Sequence, residues 1–174
     1  MPSYLKDALH VPDKTVSAWL SISLFVGLLG LPLGGLLSDW SQQRFGPRKG
    51  RIYVVATFLT LAGLVFIIPL VSRNPVHVVF AIGAVEFFTL CTTAAIWAIG
   101  QQIGGPHTAS TMAWGNAWGN LGAAILPLIV PWFKDAATGD IAWPVIFGLC
   151  LGAYLISAVA AALVRQDRPL LPGA

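Results

Sequence analysis

Charged side chains are absent from Thr15 to Ser38, from Ile52 to Ser72, from Thr108 to Phe133 and from Ile141 to Val164. A fifth stretch, Asn74 to Gly100, is apolar apart from His77 and one acid, Glu86. Each stretch is long enough to cross a hydrocarbon core of about 30 Å as a helix with some tilt. Five such helices in succession would leave a soluble fold without a surface. The pattern therefore predicts an all-α membrane protein of about five transmembrane helices, at 15–38, 52–72, 76–100, 108–133 and 141–164. Between them lie a segment at 1–14, a basic loop at 39–51 and a tail at 165–174. Turn signals mark the breaks: Arg73-Asn74-Pro75, Gly104-Gly105-Pro106-His107 and the polar link from Lys134 to Asp140. Pro144 suits the first turn of the last helix. Pro32, Pro69, Pro127 and Pro131 fall inside apolar stretches, where membrane helices tolerate proline and kink.

Composition supports this reading. Charged residues make up 10% of the chain and hydrophobic residues 56%, against about 25% charged in an ordinary soluble domain. The net charge of +3 is small, and the basic residues gather at the ends of apolar stretches. That is the expectation for juxtamembrane positions, and it argues against a nucleic-acid partner. The bilayer is the partner it implies. Cys91 and Cys150 lie in apolar stretches with no metal-ligand spacing. His10, His77 and His107 sit near span ends, so no metal or cofactor is expected. No signal peptide is evident, since the first apolar stretch follows Lys14 and exceeds a signal h-region. Motifs of the G-x-x-x-x-G-K, H-E-x-x-H and G-x-S-x-G kinds are absent, and the chain is not read as an enzyme.

Five crossings place the termini on opposite sides. Arg44, Arg48, Lys49, Arg51, Arg165 and Arg168 share one side, and Lys6, Lys14, Arg73 and Lys134 the other. The dense cluster at 39–51 assigns that loop and the C-terminus to the cytoplasm, in the plasma (cytoplasmic, or inner) membrane. The N-terminal segment 1–14 is then extracytoplasmic.

Three features carry candidate chemistry. Ser23, Gly27, Gly30 and Gly34 recur at spacings of four, three and four. They form a small-residue face suited to close helix packing, with a sliding surface as the alternative. Glu86 is the one acid within a span. Because a charge there is costly, it is suited to facing a cavity and carrying a coupling proton or cation, or else to a structural hydrogen bond. Thr89, Thr93 and Trp97 continue its face. Asn116 and Asn120 lie four apart, with Trp114 and Trp118 nearly opposite and Gly115, Gly119 and Gly122 on an adjoining face. That helix reads equally as a site wall and as a set of interhelical hydrogen bonds. Asp39 reads as closing the first span. There the helix macrodipole disfavours an acid unless a cation compensates, the candidates being Arg44, Arg48, Lys49 or a group on another helix.

The segment Gly35, Asp39, Arg44, Gly46, Arg48 and Lys49 resembles the cytoplasmic loop signature of the major facilitator superfamily. It departs from that pattern in having Trp40 after the aspartate and a longer run before Gly46, which resembles the second-half copy. Met1 to Lys6 resembles the end of the seventh helix. Gly115 to Gly122, with Pro127 beyond, resembles the eleventh helix of the anion:cation symporter branch. The resemblance implies helices eight to twelve of a C-terminal six-helix bundle. It implies a gating role for the loop, and a partner N-terminal half on the same or a separate chain. It further implies a small organic anion moved with a proton or Na+ by alternating access, by a chain inactive alone. A non-transporting membrane anchor or assembly subunit, and a non-functional gene fragment, are the alternatives.

Overall fold

Proline explains where the first two apolar stretches break. In the computed structural model, which describes residues 4–46, 49–133 and 141–165, α1 (Asp13–Leu28) gives way at Leu29 to α2 (Gly30–Phe45). Pro32 offers no N–H to the carbonyl of Leu28, the last residue of α1. The same relation recurs between α3 (Gly50–Val65) and α4 (Ile67–Val71), where Pro69 leaves the carbonyl of Val65 without its donor. Then come α5 (Pro75–Gly104), α6 (Thr108–Ile129) and α7 (Trp143–Leu163). α5 starts with Pro75 in its first turn, and the Asn74 side chain accepts from Val76 N at 2.9 Å.

Among the described residues, four helical runs, breaks included, are long and apolar enough to cross a membrane: Asp13–Phe45, Gly50–Val71, Pro75–Phe133 and Trp143–Leu163. The third has 59 residues, which as a straight helix would be about 88 Å long, far beyond a bilayer. It divides at Gly105, whose φ of +48° a side chain would strain. α6 then turns back along α5: Thr108 Oγ1 donates to the Gln101 carbonyl at 3.3 Å, and Met112 lies against Gly100.

α5 is the central helix. The jointed rod α1–α2 and helix α3 pack on it, α7 packs on α3 and α4 and reaches α5 through Tyr154, and α6 rests mainly on α5. The rod carries a stripe of buried small residues, Ser23, Gly27, Gly30, Gly34, Ser38 and Ser41, of which Ser23, Gly27, Gly30 and Gly34 meet α5 and Ser41 meets α3. A β-carbon at Gly34 would collide with the Cys91 backbone, and one at Gly30 with the Phe87 carbonyl. Ser23 Oγ reaches the Val79 carbonyl at 3.4 Å. The small-residue face is packed closely on α5, as expected of it.

The N-terminal segment is anchored. Residues Tyr4–Ala8 form a π-helical turn, with Leu5 fully buried and Tyr4 edge-on to Phe147 at 4.9 Å and Trp143 at 5.1 Å. Val16, Phe66, Val78 and Ile82 complete that core. Elsewhere large apolar side chains point outward, among them Phe25, Val71, Phe80, Ile156 and Leu163. In water such a surface would be an aggregation liability, and in a bilayer it is the solvated face. The protein is an integral, multi-pass, all-α membrane protein.

The loop expected at 39–51 is a correction. α2 runs on to Phe45 and stops at Gly46, with φ of +80°. Ser41 to Arg44 are all compatible with helix, and Phe45 stacks edge-on with Trp40 and Tyr53 at 6.2 and 5.3 Å. Asp39 therefore lies within α2, not at its end.

Replacing Gly34 by leucine should force the rod off α5. The expected loss is about 1–3 kcal/mol, the usual cost of overpacking, read as a lower melting temperature of the purified protein in detergent. Gly152→Ala on α7, where a β-carbon meets nothing within 4 Å, should melt with the parent. Equal melting of Gly34→Leu and parent would show that the seam does not hold the rod.

Candidate functional site

Two regions carry the chemistry: the spans around Glu86, and the end of the bundle where α2 hands over to α3. At that end Gly50 leaves no room for a side chain against the Gln42 backbone, and Ser41 Oγ donates to the Gly50 carbonyl at 2.7 Å. This contact brings the first turn of α3 beside α2. Arg51 then extends one Nη to Asp39 at 3.6 Å and the other to Gln102 Oε1, near the end of α5, at 3.1 Å. Among the described residues the partner of Asp39 is thus Arg51, on a neighbouring helix, and not Arg44 or Lys49. Arg44 sits in the last turn of α2, where a cation complements the dipole. Lys49 precedes α3 and is exposed. Gly35 lies beside Ala94, and a β-carbon there would stand 3.9 Å from it. Arg48 lies outside the described residues. With Asp39 six residues short of the helix end, the expected conflict with the α2 dipole does not arise.

This junction also holds unpaired polar atoms. Ser38 Oγ, Gln42 Oε1 and Arg51 Nε are buried without a hydrogen-bond partner among the described residues. Ser21, Thr60, Thr111 and Ser157 turn their hydroxyls back to the carbonyl four residues earlier, as polar side chains in apolar helices do. Ser38 does not.

In the spans, the stripe from Glu86 to Trp97 is divided among different neighbours. Glu86 borders a cavity of about 140 Å³ with Phe66, Pro69, Ile82 and Phe147, and lies against Gly27 of α1. No hydrogen bond or ion pair joins it to another described residue. Thr89 Oγ1 shares a hydrogen with the Tyr154 hydroxyl of α7 at 2.9 Å. Thr93 Oγ1 donates to the Thr89 carbonyl at 3.3 Å. Trp97 is half exposed and lines a groove of about 510 Å³ between α3, α5, α6 and α7, together with Asn116 and Met112. The structure brings Trp97 and Asn116 together. Asn120 is exposed on α6 outside that groove, and Glu86, Thr89 and Thr93 do not line it. Gly115, Gly119 and Gly122 face open space, so no close packing is made on that side among the described residues. Trp114 and Trp118 pack edge-on at 5.7 Å.

Sequence reasoning missed Tyr154, Gln102 and the role of Arg51. Tyr154 had a signal, as a lone tyrosine hydroxyl in an apolar span that needs a partner. Gln102 had none, because its role depends on α3 starting beside it. Among the described residues no three His, Cys, Asp or Glu side chains gather as a metal site would require.

The family profile of the Major Facilitator Superfamily matches residues 1–174. The chain is also 30% identical, over 174 residues, to the probable sulfoacetate transporter SauU of Cupriavidus necator. That alignment covers 97% of this chain and 40% of the relative, so the chain spans well under half the relative's length. No solved structure gives a significant match.

The Thr89–Tyr154 contact bridges α5 and α7. A double-mutant cycle of Thr89→Val and Tyr154→Phe, read by equilibrium unfolding in detergent, should give a coupling of about 0.6 kcal/mol, as interhelical hydrogen bonds in membranes do. Additive effects would mean that each hydroxyl is satisfied elsewhere.

Proposed function

Because this chain belongs to the major facilitator superfamily, we propose that it forms the C-terminal half of a secondary transporter for small organic anions. In this reading it supplies helices eight to twelve of an anion:cation symporter-like protein that works by alternating access. The observation that carries the reading is the family match over the whole chain, joined by the likeness to a probable sulfoacetate transporter. An anion of that kind, small and strongly acidic, is the substrate class we favour.

Transporters of this type hold substrate near the midplane, between two repeat halves. The apolar stretches 15–38, 52–72, 76–100, 108–133 and 141–164 contain no lysine or arginine. Cationic contacts to an anionic substrate therefore fall to the partner half, and this half contributes neutral donors. Asn116 and Trp97, which share a groove, are the leading candidates, with Asn120, Thr93 and Thr89 on the neighbouring turns. Glu86 is assigned the coupling ion, a proton or Na+. An acid in a span with no described partner is retained at a cost that a structural role alone does not offset. The junction of Asp39, Arg51 and Gln102, with Gly35, Arg44, Gly46, Arg48 and Lys49 around it, is assigned to gating on the cytoplasmic face. Arg44, Lys49, Arg51 and Arg165 share one end of the bundle, and the basic bias puts that end, with the C-terminus, in the cytoplasm of a cell whose plasma membrane holds the protein.

Alternating access requires both halves to rock about a shared site. The chain alone, reconstituted in proteoliposomes, should show no saturable anion flux. Joined to its N-terminal half, it should show ion-driven uptake that Glu86→Gln abolishes. Normal uptake by Glu86→Gln, with unchanged pH and cation dependence, would remove Glu86 from the coupling role.

A further inference from the structure

We infer that Gly27 is the positioning residue for Glu86, so that α1 and α5 together form the seat of the coupling ion. The inference rests on the coupling role proposed above for Glu86. Its starting point is a difference between glycines on one stripe. Gly30 and Gly34 face the backbone of α5, at Phe87 and Cys91, and serve close approach of two main chains. Gly27 faces a side chain. A β-carbon there would stand 3.1 Å from Glu86 Cβ and 3.4 Å from its Oε2. A side chain at position 27 would therefore press first on the Glu86 β-carbon, the root of the side chain that carries the carboxyl, and would touch the carboxyl itself in ordinary contact.

The surroundings make that contact consequential. The membrane stretches of α1, α2, α3, α4 and α7 carry no Asp, Glu, Lys, Arg or His. Of the titratable groups nearest on the packed elements, the Tyr154 hydroxyl is engaged by Thr89. The Cys91 thiol lies under Gly30, one turn further along the seam. His77, at the start of α5, is engaged by Ser72. The other walls around Glu86 are Phe66, Ile82 and Phe147. The carboxyl thus lies between the α1 backbone at Gly27 and the cavity of about 140 Å³ beside Phe66, Ile82 and Phe147, a notch suited to hold an ion. An ion that enters or leaves the notch changes what must fit between α1 and α5. The seam that fixes the rod then also reads the state of Glu86.

The test uses the full-length transporter in proteoliposomes, measuring both maximal uptake and the half-saturating concentration of coupling ion. Gly27→Ala should move the half-saturating concentration by roughly three- to tenfold, since small misplacements of a positioned group act on its ligand directly, while maximal uptake is largely kept. Adding Glu86→Asp to Gly27→Ala shortens the acid by one methylene and should move the value back toward the parent. Gly152→Ala should leave both quantities unchanged. If Gly27→Ala lowers only maximal uptake or protein yield, at parental ion dependence, Gly27 is a spacer and the inference fails. If Gly27→Ala does not accumulate, Glu86→Asp alone, which withdraws the carboxyl from the notch, must shift the ion dependence or the inference is overturned. A Glu86→Gln protein with parental ion dependence would instead overturn the coupling role on which the inference stands.

Discussion

The close approach of the α1–α2 rod to α5 is the contact on which the other helices depend. Lipid chains are as apolar as leucine, so burying apolar surface gives helices in a bilayer little reason to associate, and intimate van der Waals contact must serve instead. Small side chains at Ser23, Gly27, Gly30 and Gly34 allow it. With the rod fixed, α5 presents its other faces to α3 and α6. The end of α2 then meets the start of α3 so tightly that only glycine fits at position 50. The junction of Asp39, Arg51 and Gln102 is built on that contact. The ion pair itself adds little, because the Asp39 side chain is 69% exposed and exposed pairs contribute about 0–1 kcal/mol. Its value is orientation: it aims one guanidinium at two helices.

Much of the architecture was legible because bilayers simplify the physics. Uncharged stretches of about 20 residues could hardly be anything but crossings, and the prolines inside them marked the breaks at Leu29 and Phe66. The spacing of Ser23, Gly27, Gly30 and Gly34 gave the packing face, and two further serines at the same rhythm could have extended it. What stayed hidden depended on where helices stop outside the hydrocarbon. The polar run from Ser41 to Arg44 is compatible with loop and with helix alike. Its helical state follows from Gly46 and from the aromatic contacts of Phe45, which sequence spacing does not reveal. Misplacing that boundary put Asp39 at a helix end and hid Arg51 among loop cations.

The candidate site was legible one residue at a time. Glu86 stood out by cost and Asn116 by type. Periodicity placed Glu86, Thr89, Thr93 and Trp97 on one face of α5, and they do lie close to one face. A face, though, is not a cavity. Different neighbours reach different turns of α5: α1 meets Glu86, α7 meets Thr89, and α6 comes within reach only near Trp97. The glycines of α6 show the converse limit. Their spacing announces a close neighbour, and among the described residues that side is open.

The two proline breaks make α1–α2 and α3–α4 jointed rods instead of rigid ones. At each joint a backbone carbonyl, that of Leu28 or Val65, has lost its intrahelical donor in the middle of an apolar stretch. A joint of this kind bends at low cost, because the hydrogen bond that would resist bending is already missing. In α1–α2 the small residues grip α5 on both sides of the joint, Ser23 and Gly27 before it and Gly30 and Gly34 after it, so the seam checks the freedom of that joint. Compliance is thus left to the α3–α4 joint, and stiffness belongs to the seam and to the long, unbroken α5 on which it is built.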